Sequence, residues 1–518
     1  MSSRIDFLKN HQLAKNLLLI NRGIEKESLR TDKFGYLSQK KHPICLGSPL
    51  THKNITTDFS EALIELVTDC HTSKSDLLKQ LHELHAFTFH CIENELLWPN
   101  SMPCQLPDAN RIQIGTYGTS NIGQMKHIYR KGLSNRYGSY MQTISGIHYN
   151  FSLSDTFFEI LKTLEGSNLN LQDFKSDCYF GLIRNFHRFS WFISFMLGAS
   201  PIVSKNFLQN SEHKLIPVSG SADSFYTPFA TSLRMGDLGY KSKAQDSLKI
   251  RYDNIDTYIA DLRSALEQTF SEYEEIGLKD EHENYKQLNT NILQIENEFY
   301  SDIRPKRTTN TGETPTKALE KRGVEYVEIR SIDLNPFVAC GIDEDTIDLL
   351  DIFLIYCLMS DSSKLDEIEQ INISTNYLNT VYEGRDPKLR LKGKNGDAYL
   401  LDLANALIEN MKPIAKILDT LNNNNSYEKV LTKSSDCVKN NSLLPSTKIV
   451  NLIKENNQTF QELNLTKARE YSHYFKKFKL SQSKFRTMTL ESNESIKKQA
   501  EIEQNDTLSF ESFLNLFQ

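Results

Sequence analysis

The segment Arg22-Gly23-Ile24-Glu25-Lys26-Glu27-Ser28-Leu29-Arg30 decides how this chain is read. Glu25 and Glu27 stand two apart, so in a β-strand both carboxylates project to the same face. Two like charges that close are costly unless a cation lies between them. A hard divalent ion held by carboxylate oxygens meets that need, Mg²⁺ first, with Mn²⁺ as the alternative. A solvated Glu/Lys stretch on a surface strand is the simpler account of these residues taken alone. The choice between the two turns on whether other stretches repeat the arrangement.

Several do. Residues 62–68 end short and β-branched and read as a strand, with a helix as the alternative. Glu65 lies there between Ile64 and Leu66, and Asp58 just precedes the segment. A carboxylate inside an apolar run implies that the other face of its element is polar and occupied. Residues 141–153 alternate, with Gln142, Gly146, His148, Asn150 and Ser152 on one face. That face suits a small polar ligand, or simply a half-exposed strand. Asn291–Tyr300 alternates again, aligning Gln294, Glu296, Glu298 and Tyr300, and residues 324–331 align Tyr326, Glu328 and Arg330. An antiparallel sheet would gather Glu25, Glu27, Asp58, Glu65 and Glu328 on one surface. Two or three Mg²⁺ ions, with ATP phosphates as further ligands, would balance that charge. Arg330, Arg130 and Arg234 are then candidates to stabilise a transferring phosphoryl group. The chain has no P-loop.

The intervening segments read as helices and loops. Helical patterning covers 5–20, 74–94, 178–197, 253–276 and 343–360, and a short helix carries Tyr129, Arg130 and Arg136. His82 and His85 on the second of these have metal-compatible spacing but no third ligand, and read as packing or surface histidines. Arg304-Pro305-Lys306-Arg307 reads as a basic turn, solvated or able to close over phosphates. Beyond about residue 365 the chain is mostly helical. The expected organisation is a catalytic sheet with flanking helices over 1–360 and a helical part over 361–518 packed on it as one unit.

Composition limits the function classes. At 39% hydrophobic and 10% aromatic, the 518 residues can bury a sizeable core. A net charge of -6 gives no electrostatic case for nucleic acid or an anionic membrane. The eight cysteines form no Cys-x-x-Cys pair and read as free thiols of a reducing cytosol. No run reaches the roughly 18 apolar residues of a membrane span, and no signal peptide is visible. A cytoplasmic protein is expected.

The ordered set Arg22–Arg30, Leu50–Lys53, Ile55–Phe59, Tyr117–Asn121, Met141–Gly146, Gln294–Glu298, Ile303–Arg307 and Glu328–Ser331 closely resembles the glutamate–cysteine ligases of the long, monofunctional bacterial type. The resemblance is dense from about residue 15 to 360 and continues more weakly to the C-terminus. It implies an α+β fold with a glutamine-synthetase-like antiparallel sheet, curved into a funnel and surrounded by helices. It implies ATP-dependent joining of the L-glutamate γ-carboxyl to the L-cysteine amino group, by a chain that acts as a monomer and leaves the next step of glutathione synthesis to another protein. By motif position Glu25, Glu27, Asp58, Glu65 and Glu328 look like Mg²⁺ ligands. Tyr129, Tyr240 and Tyr300, with Phe59 and Asn150, look like substrate contacts. Arg130, His148, Arg234 and Arg330 look like contacts to glutamate, reacting groups or phosphate. Two rivals share these residues: an enzyme of the same fold using another amine, and a metal- or nucleotide-binding protein without catalysis.

Overall fold

A computed structural model describes residues 4–208, 213–239, 243–310, 312–394 and 396–517. The opening segment is the long central strand β1 (Asn21–Thr31). Around it lie β2 (Ile55–Thr57), β3 (Leu63–Val67), β4 (Leu96–Leu97), β5 (Ile147–Ser152), β6 (Ile303–Lys306) and β7 (Tyr326–Ile332). Every pairing is antiparallel, in the order β2-β3-β1-β5-β7-β6, with β4 added at the end of β1. Antiparallel pairing lets one face stay polar while the other packs. The back face presents Ile24, Ile64, Tyr149, Phe151, Val327 and Ile329, all fully buried. The front face presents Glu25, Glu27, Glu65, His148, Asn150 and Glu328.

The helices that cover the back face are apolar where they must be. In chain order the ones that matter are α1 (Lys74–Cys91), α2 (Asn121–Tyr137), α3 (Leu171–Leu197), α4 (Glu344–Met359), α5 (Glu367–Glu383), α6 (Gln482–Asn505) and α7 (Phe510–Phe517). Phe186 and Phe192 of α3 and Phe353 of α4 share one hydrophobic core with the back-face residues. Asp343 caps α4 by accepting from the Thr346 amide, and Glu344 and Asp345 follow in its first turn, where the helix dipole favours negative charge. The last two helices return to the front. Leu514 of α7 packs with Met125 and Ile128 of α2, and Asp506 accepts hydrogen bonds from the Asn121 backbone and side chain at the start of α2. Among the described residues no helix is long and apolar enough to cross a membrane.

Five sequence readings are corrected. Asn291–Tyr300 is not a strand but an irregular segment with one 3₁₀ turn, Glu296–Glu298. Its alternating polar residues face separate partners: Glu296 accepts from Thr316, and Glu298 pairs with Arg136 at 3.2 Å. Arg304–Lys306 is not a turn but part of β6, an edge strand, where Pro305 need donate no ladder bond. The strand expected over 141–153 begins only at Ile147, after a 3₁₀ turn at Met141–Thr143. The helix expected over 253–276 is two, Ile255–Glu267 and Ser271–Ile276. Finally, Cys45 and Cys91 form a disulfide, with Cα atoms 5.5 Å apart. The two lie 46 residues apart in sequence, so only the packing of the Ile44–Leu46 turn on the end of α1 brings them together. The other six cysteines are free thiols.

One buried ion pair ties the sheet to the helical layer. Arg22 on the back of β1 bonds Asp351 of α4 through Nη2 at 2.6 Å, both side chains almost fully buried. The Tyr149 hydroxyl donates to the same carboxylate at 2.9 Å, and Tyr427 donates to it at 3.3 Å. Removing one partner of such a pair leaves an uncompensated buried charge, which costs about 3–5 kcal/mol. Asp351→Ala is expected to lose that much stability in urea unfolding. A loss under about 1 kcal/mol would show that Arg22 is satisfied without its partner.

Candidate active site

Strand register brings the acidic residues together. Glu27 of β1 stands directly opposite Glu65 of β3, Glu25 opposite His148 of β5, and Asn150 opposite Glu328 of β7, which in turn faces Arg304 of β6. The His148 ring sits among three carboxylates. Nδ1 lies 3.2 Å from Glu25 and 3.8 Å from Glu328, and Nε2 lies 3.6 Å from Glu27. Ligand atoms of Glu25, Glu65 and His148 all lie within 4.8 Å of one another.

The register of β7 slips between Ile329 and Ile332, so Arg330 and Ser331 together oppose His148. Such a bulge re-aims a side chain. Here it turns Arg330 toward the sheet centre, with Nη1 3.2 Å from Glu328 and 3.4 Å from His148 Nδ1. Gly146, just before β5, donates its amide to Glu27 at 2.6 Å. A Cβ there would lie 2.0 Å from Arg234 Nη2, so the absent side chain leaves room for that guanidinium. Arg234 is buried, donates to the Arg330 carbonyl at 2.7 Å, and lies 3.7 Å from Asp333.

A cavity of about 390 Å³ opens over this face. Its walls include the five acidic residues, Glu25, Glu27, Asp58, Glu65 and Glu328, and beside them His148 and Arg330. Phe59, Tyr129, Arg130 and Tyr300 close its other side. Arg130 is held by the carbonyl of Asp58 and by the Tyr117 ring, 4.5 Å from its guanidinium carbon. Asn150 holds Glu25 through a 2.8 Å hydrogen bond. Arg234 lines a second cavity of about 480 Å³ with Asp302 and Tyr377, and the two cavities share His148, Tyr300 and Arg330. Tyr240 lies outside the described residues.

Sequence reasoning missed Lys126, although its spacing of three and four residues from Tyr129 and Arg130 on one helix was a readable signal. Lys306 was read only as part of a basic turn, yet its ammonium lies 3.5 Å from Glu328. The role of α7 behind α2 left no signal, because it depends on contacts across almost four hundred residues.

The electrostatics divide the carboxylates into two groups. Burial pushes Glu328 up, but Lys306, Arg330, His148 and Arg304 outweigh it and hold the acid far below the usual range. Burial and Glu328 likewise push Glu25 up, and His148 and Lys306 bring it below the ordinary value. At the other end, burial and Asp58 raise Glu27. Desolvation at the cavity floor, with the charges of Glu25, Asp58 and Glu27, drives Glu65 well above its ordinary value. The Glu65 end therefore has too little positive charge of its own.

An antiparallel sheet with helices packed on one face and carboxylates and arginines gathered on the other places the molecule among α+β proteins with a charged cavity over a sheet. The family model for glutamate–cysteine ligase matches residues 5–380. The chain belongs to the glutamate–cysteine ligase family. A glutamate–cysteine ligase of Pseudomonas fluorescens is 41% identical over 524 aligned residues, covering 100% of this chain and 98% of the relative. One from Saccharophagus degradans is 43% identical over 496, covering 96% and 93%. The crystal structure of the Francisella tularensis glutamate–cysteine ligase in complex with AMP superposes with a TM-score of 0.90 at 36% identity, over 96% of this chain and 97% of that one. A bifunctional glutathione synthetase of Pasteurella multocida shares the fold, with a TM-score of 0.73 at 22% identity over 92% of this chain and 55% of that one.

The raised pKa of Glu65 has a consequence for stability without cations. An acid whose folded pKa lies above its unfolded value stabilises the fold at low pH. That contribution is lost as pH rises through the folded value. In EDTA at pH 8, Glu65→Gln should therefore melt higher than the parent by about 1–3 °C, and at pH 5 the gain should shrink. Equal melting at both pH values would show that Glu65 is not repelled by its neighbours.

Proposed function

We propose that the cavity over the sheet joins the γ-carboxyl of L-glutamate to the amino group of L-cysteine at the expense of ATP, giving γ-glutamylcysteine, ADP and phosphate. The observation that carries this reading is the convergence of Glu25, Glu65, His148 and Arg330 on one point of an otherwise acidic face. Family membership supplies the substrates, and the AMP complex of the Francisella relative supports ATP as co-substrate.

The donor set fits divalent cations. It consists of hard carboxylate oxygens and one imidazole, and the Asp58 and Glu65 carboxylates make no hydrogen bond or ion pair with the described residues. Glu25, Glu27, Asp58, Glu65 and Glu328, with His148, would hold two or three Mg²⁺ ions, and the imidazole suits Mn²⁺ as well. Bound there, the ions would neutralise charge on the phosphates and on the reacting carboxylate.

The chain's own residues do the rest. A free carboxylate resists an amine because its oxygen is a poor leaving group, so the γ-carboxylate is first converted to an acyl phosphate. Arg330, aimed by the bulge and anchored to Glu328, offsets charge on the transferring phosphoryl group. Arg234, in the adjoining cavity, takes a glutamate carboxylate. Phe59, Tyr129 and Tyr300 enclose the cysteine side chain, and Tyr240 joins them by motif position. Asn150 orients Glu25. The cysteine amine attacks the acyl phosphate through a tetrahedral intermediate and expels phosphate, and Asp58, on the cavity wall, is a candidate to take the amine proton. In this reading residues 1–360 carry the chemistry, 361–518 buttress it and supply Tyr377 to the wall of the Arg234 cavity, and the enzyme works as a cytoplasmic monomer.

Two measurements test the proposal. With glutamate, ATP and Mg²⁺, ADP release should rise sharply on adding L-cysteine and match γ-glutamylcysteine formed. Tight Mg-ATP binding without cysteine-dependent ADP release, or AMP as the product, would overturn it. Arg330→Lys keeps the charge but loses the planar fork that meets phosphate oxygens. It is expected to lose about 10²-fold or more in kcat with the fold intact, and full activity would reduce Arg330 to a general electrostatic role.

A further inference from the structure

Five cationic side chains line the carboxylate cavity: Lys126, Arg130, Arg304, Lys306 and Arg330. Four are already engaged. Lys306 and Arg330 pair with Glu328 at 3.5 and 3.2 Å. Arg304 donates to the carbonyls of Asn297 and Phe299, and Arg130 to that of Asp58. Lys126 makes no hydrogen bond or ion pair through its ammonium with the described residues. The Tyr117 ring centroid lies 5.5 Å from it. A half-buried cation facing a cavity with no partner is an anion-binding group in waiting.

Its position says which anion. Lys126, Tyr129 and Arg130 fall three and four residues apart, on one face of α2. They stand over the Asp58 and Glu65 end of the sheet, and the Glu65 charge is felt at Lys126. Lys306 and Arg304, two cations suited to phosphate, stand on β6 at the opposite edge, and Arg330 lies between at the sheet centre. In the sheet order β3 and β6 are four strand steps apart, about 19 Å at the usual strand spacing. Glutamate has its own buried guanidinium in Arg234, beyond His148 and Arg330. The anion left without a cation is the α-carboxylate of the amine substrate, whose side chain the proposed function already places against Tyr129.

We propose that Lys126 binds the α-carboxylate of the acceptor amino acid, and so makes the enzyme select an amino acid over a simple amine. The assignment rests on the proposed function and deepens it. The Lys126 ammonium holds one carboxylate oxygen by a charge-assisted hydrogen bond, and Arg130, fixed by the Asp58 carbonyl, stands beside it. The amine is thereby directed toward the sheet centre, where the acyl phosphate forms. Burial and Arg130 pull Lys126 down to about 8, which leaves it mostly charged at neutral pH.

The test compares L-cysteine with cysteamine, the same aminothiol without the carboxylate. In Lys126→Met, kcat/KM for L-cysteine should fall roughly 10- to 100-fold, the range for losing a charged hydrogen bond. The same constant for cysteamine, and KM for ATP and for glutamate, should change less than about three-fold. Lys126→Arg should recover part of the cysteine constant, which a merely structural role would not produce. Equal loss with both amines, or a rise in KM for ATP with KM for L-cysteine unchanged, would overturn the assignment. If the parent turns over cysteamine too slowly to measure, a selective rise in KM for L-cysteine over those for ATP and glutamate supports it, and no such selectivity overturns it. A parent that ligates no amine at all would instead sink the proposed function.

Discussion

The structure depends on one unfavourable juxtaposition: Glu27 and Glu65 directly opposite each other on neighbouring strands. Like charges in that position destabilise a sheet. Glu25 stands two residues along β1 on the same face, and Asp58 lies at the end of β2, so the repulsion extends along the cavity floor. Such a face cannot be packed under a helix. It has to remain a cavity, and the hydrophobic burial that holds the sheet must come from its other side. That is where α3 and α4 lie, and where Arg22 is locked to Asp351.

The same constraint explains how cations are distributed. Around Glu328 they are built in: Lys306, Arg330, Arg304 and His148 hold that acid ionised. Around Glu65 they are sparse, and the acid is pushed the other way. A protein that balanced every carboxylate with its own arginine would have no capacity left for metal or phosphate. In the proposed reading the asymmetry leaves one end to phosphoryl chemistry and the other to ions and the amine substrate. Two backbone devices sharpen it. The bulge at Arg330–Ser331 turns a guanidinium toward His148, and Gly146 leaves space for Arg234.

Strand patterning was legible where the residues obeyed a local rule. In β1, β3, β5 and β7 the two-residue period arises from the pleat of the strand itself, so Glu25, Glu27, Glu65, His148 and Glu328 could be assigned to a polar face without knowing their neighbours. The same period misled at Asn291–Tyr300. There Glu296 and Glu298 alternate because each satisfies a different partner, Thr316 and Arg136, and not because they share a sheet face. Pro305 misled in the opposite direction. A proline in a basic run reads as a turn, and only its place on an edge strand makes it compatible with β6.

By itself, then, the amino-acid order determined which side chains share a face of β1, β3, β5 and β7, that long segments such as 74–91 and 344–359 are helical, and, through its resemblance to a family, what chemistry to expect. These follow from interactions between residues a few positions apart. Tertiary structure alone decided the pairing order β3-β1-β5-β7-β6, and with it the opposition of Glu27 to Glu65 and the place of Arg330 beside His148. It alone joined Cys45 to Cys91, laid α7 behind α2, and left Lys126 facing the acids without a partner. Each of these depends on segments tens to hundreds of residues apart. Their energies come from burial and charge in three dimensions, which no local period records.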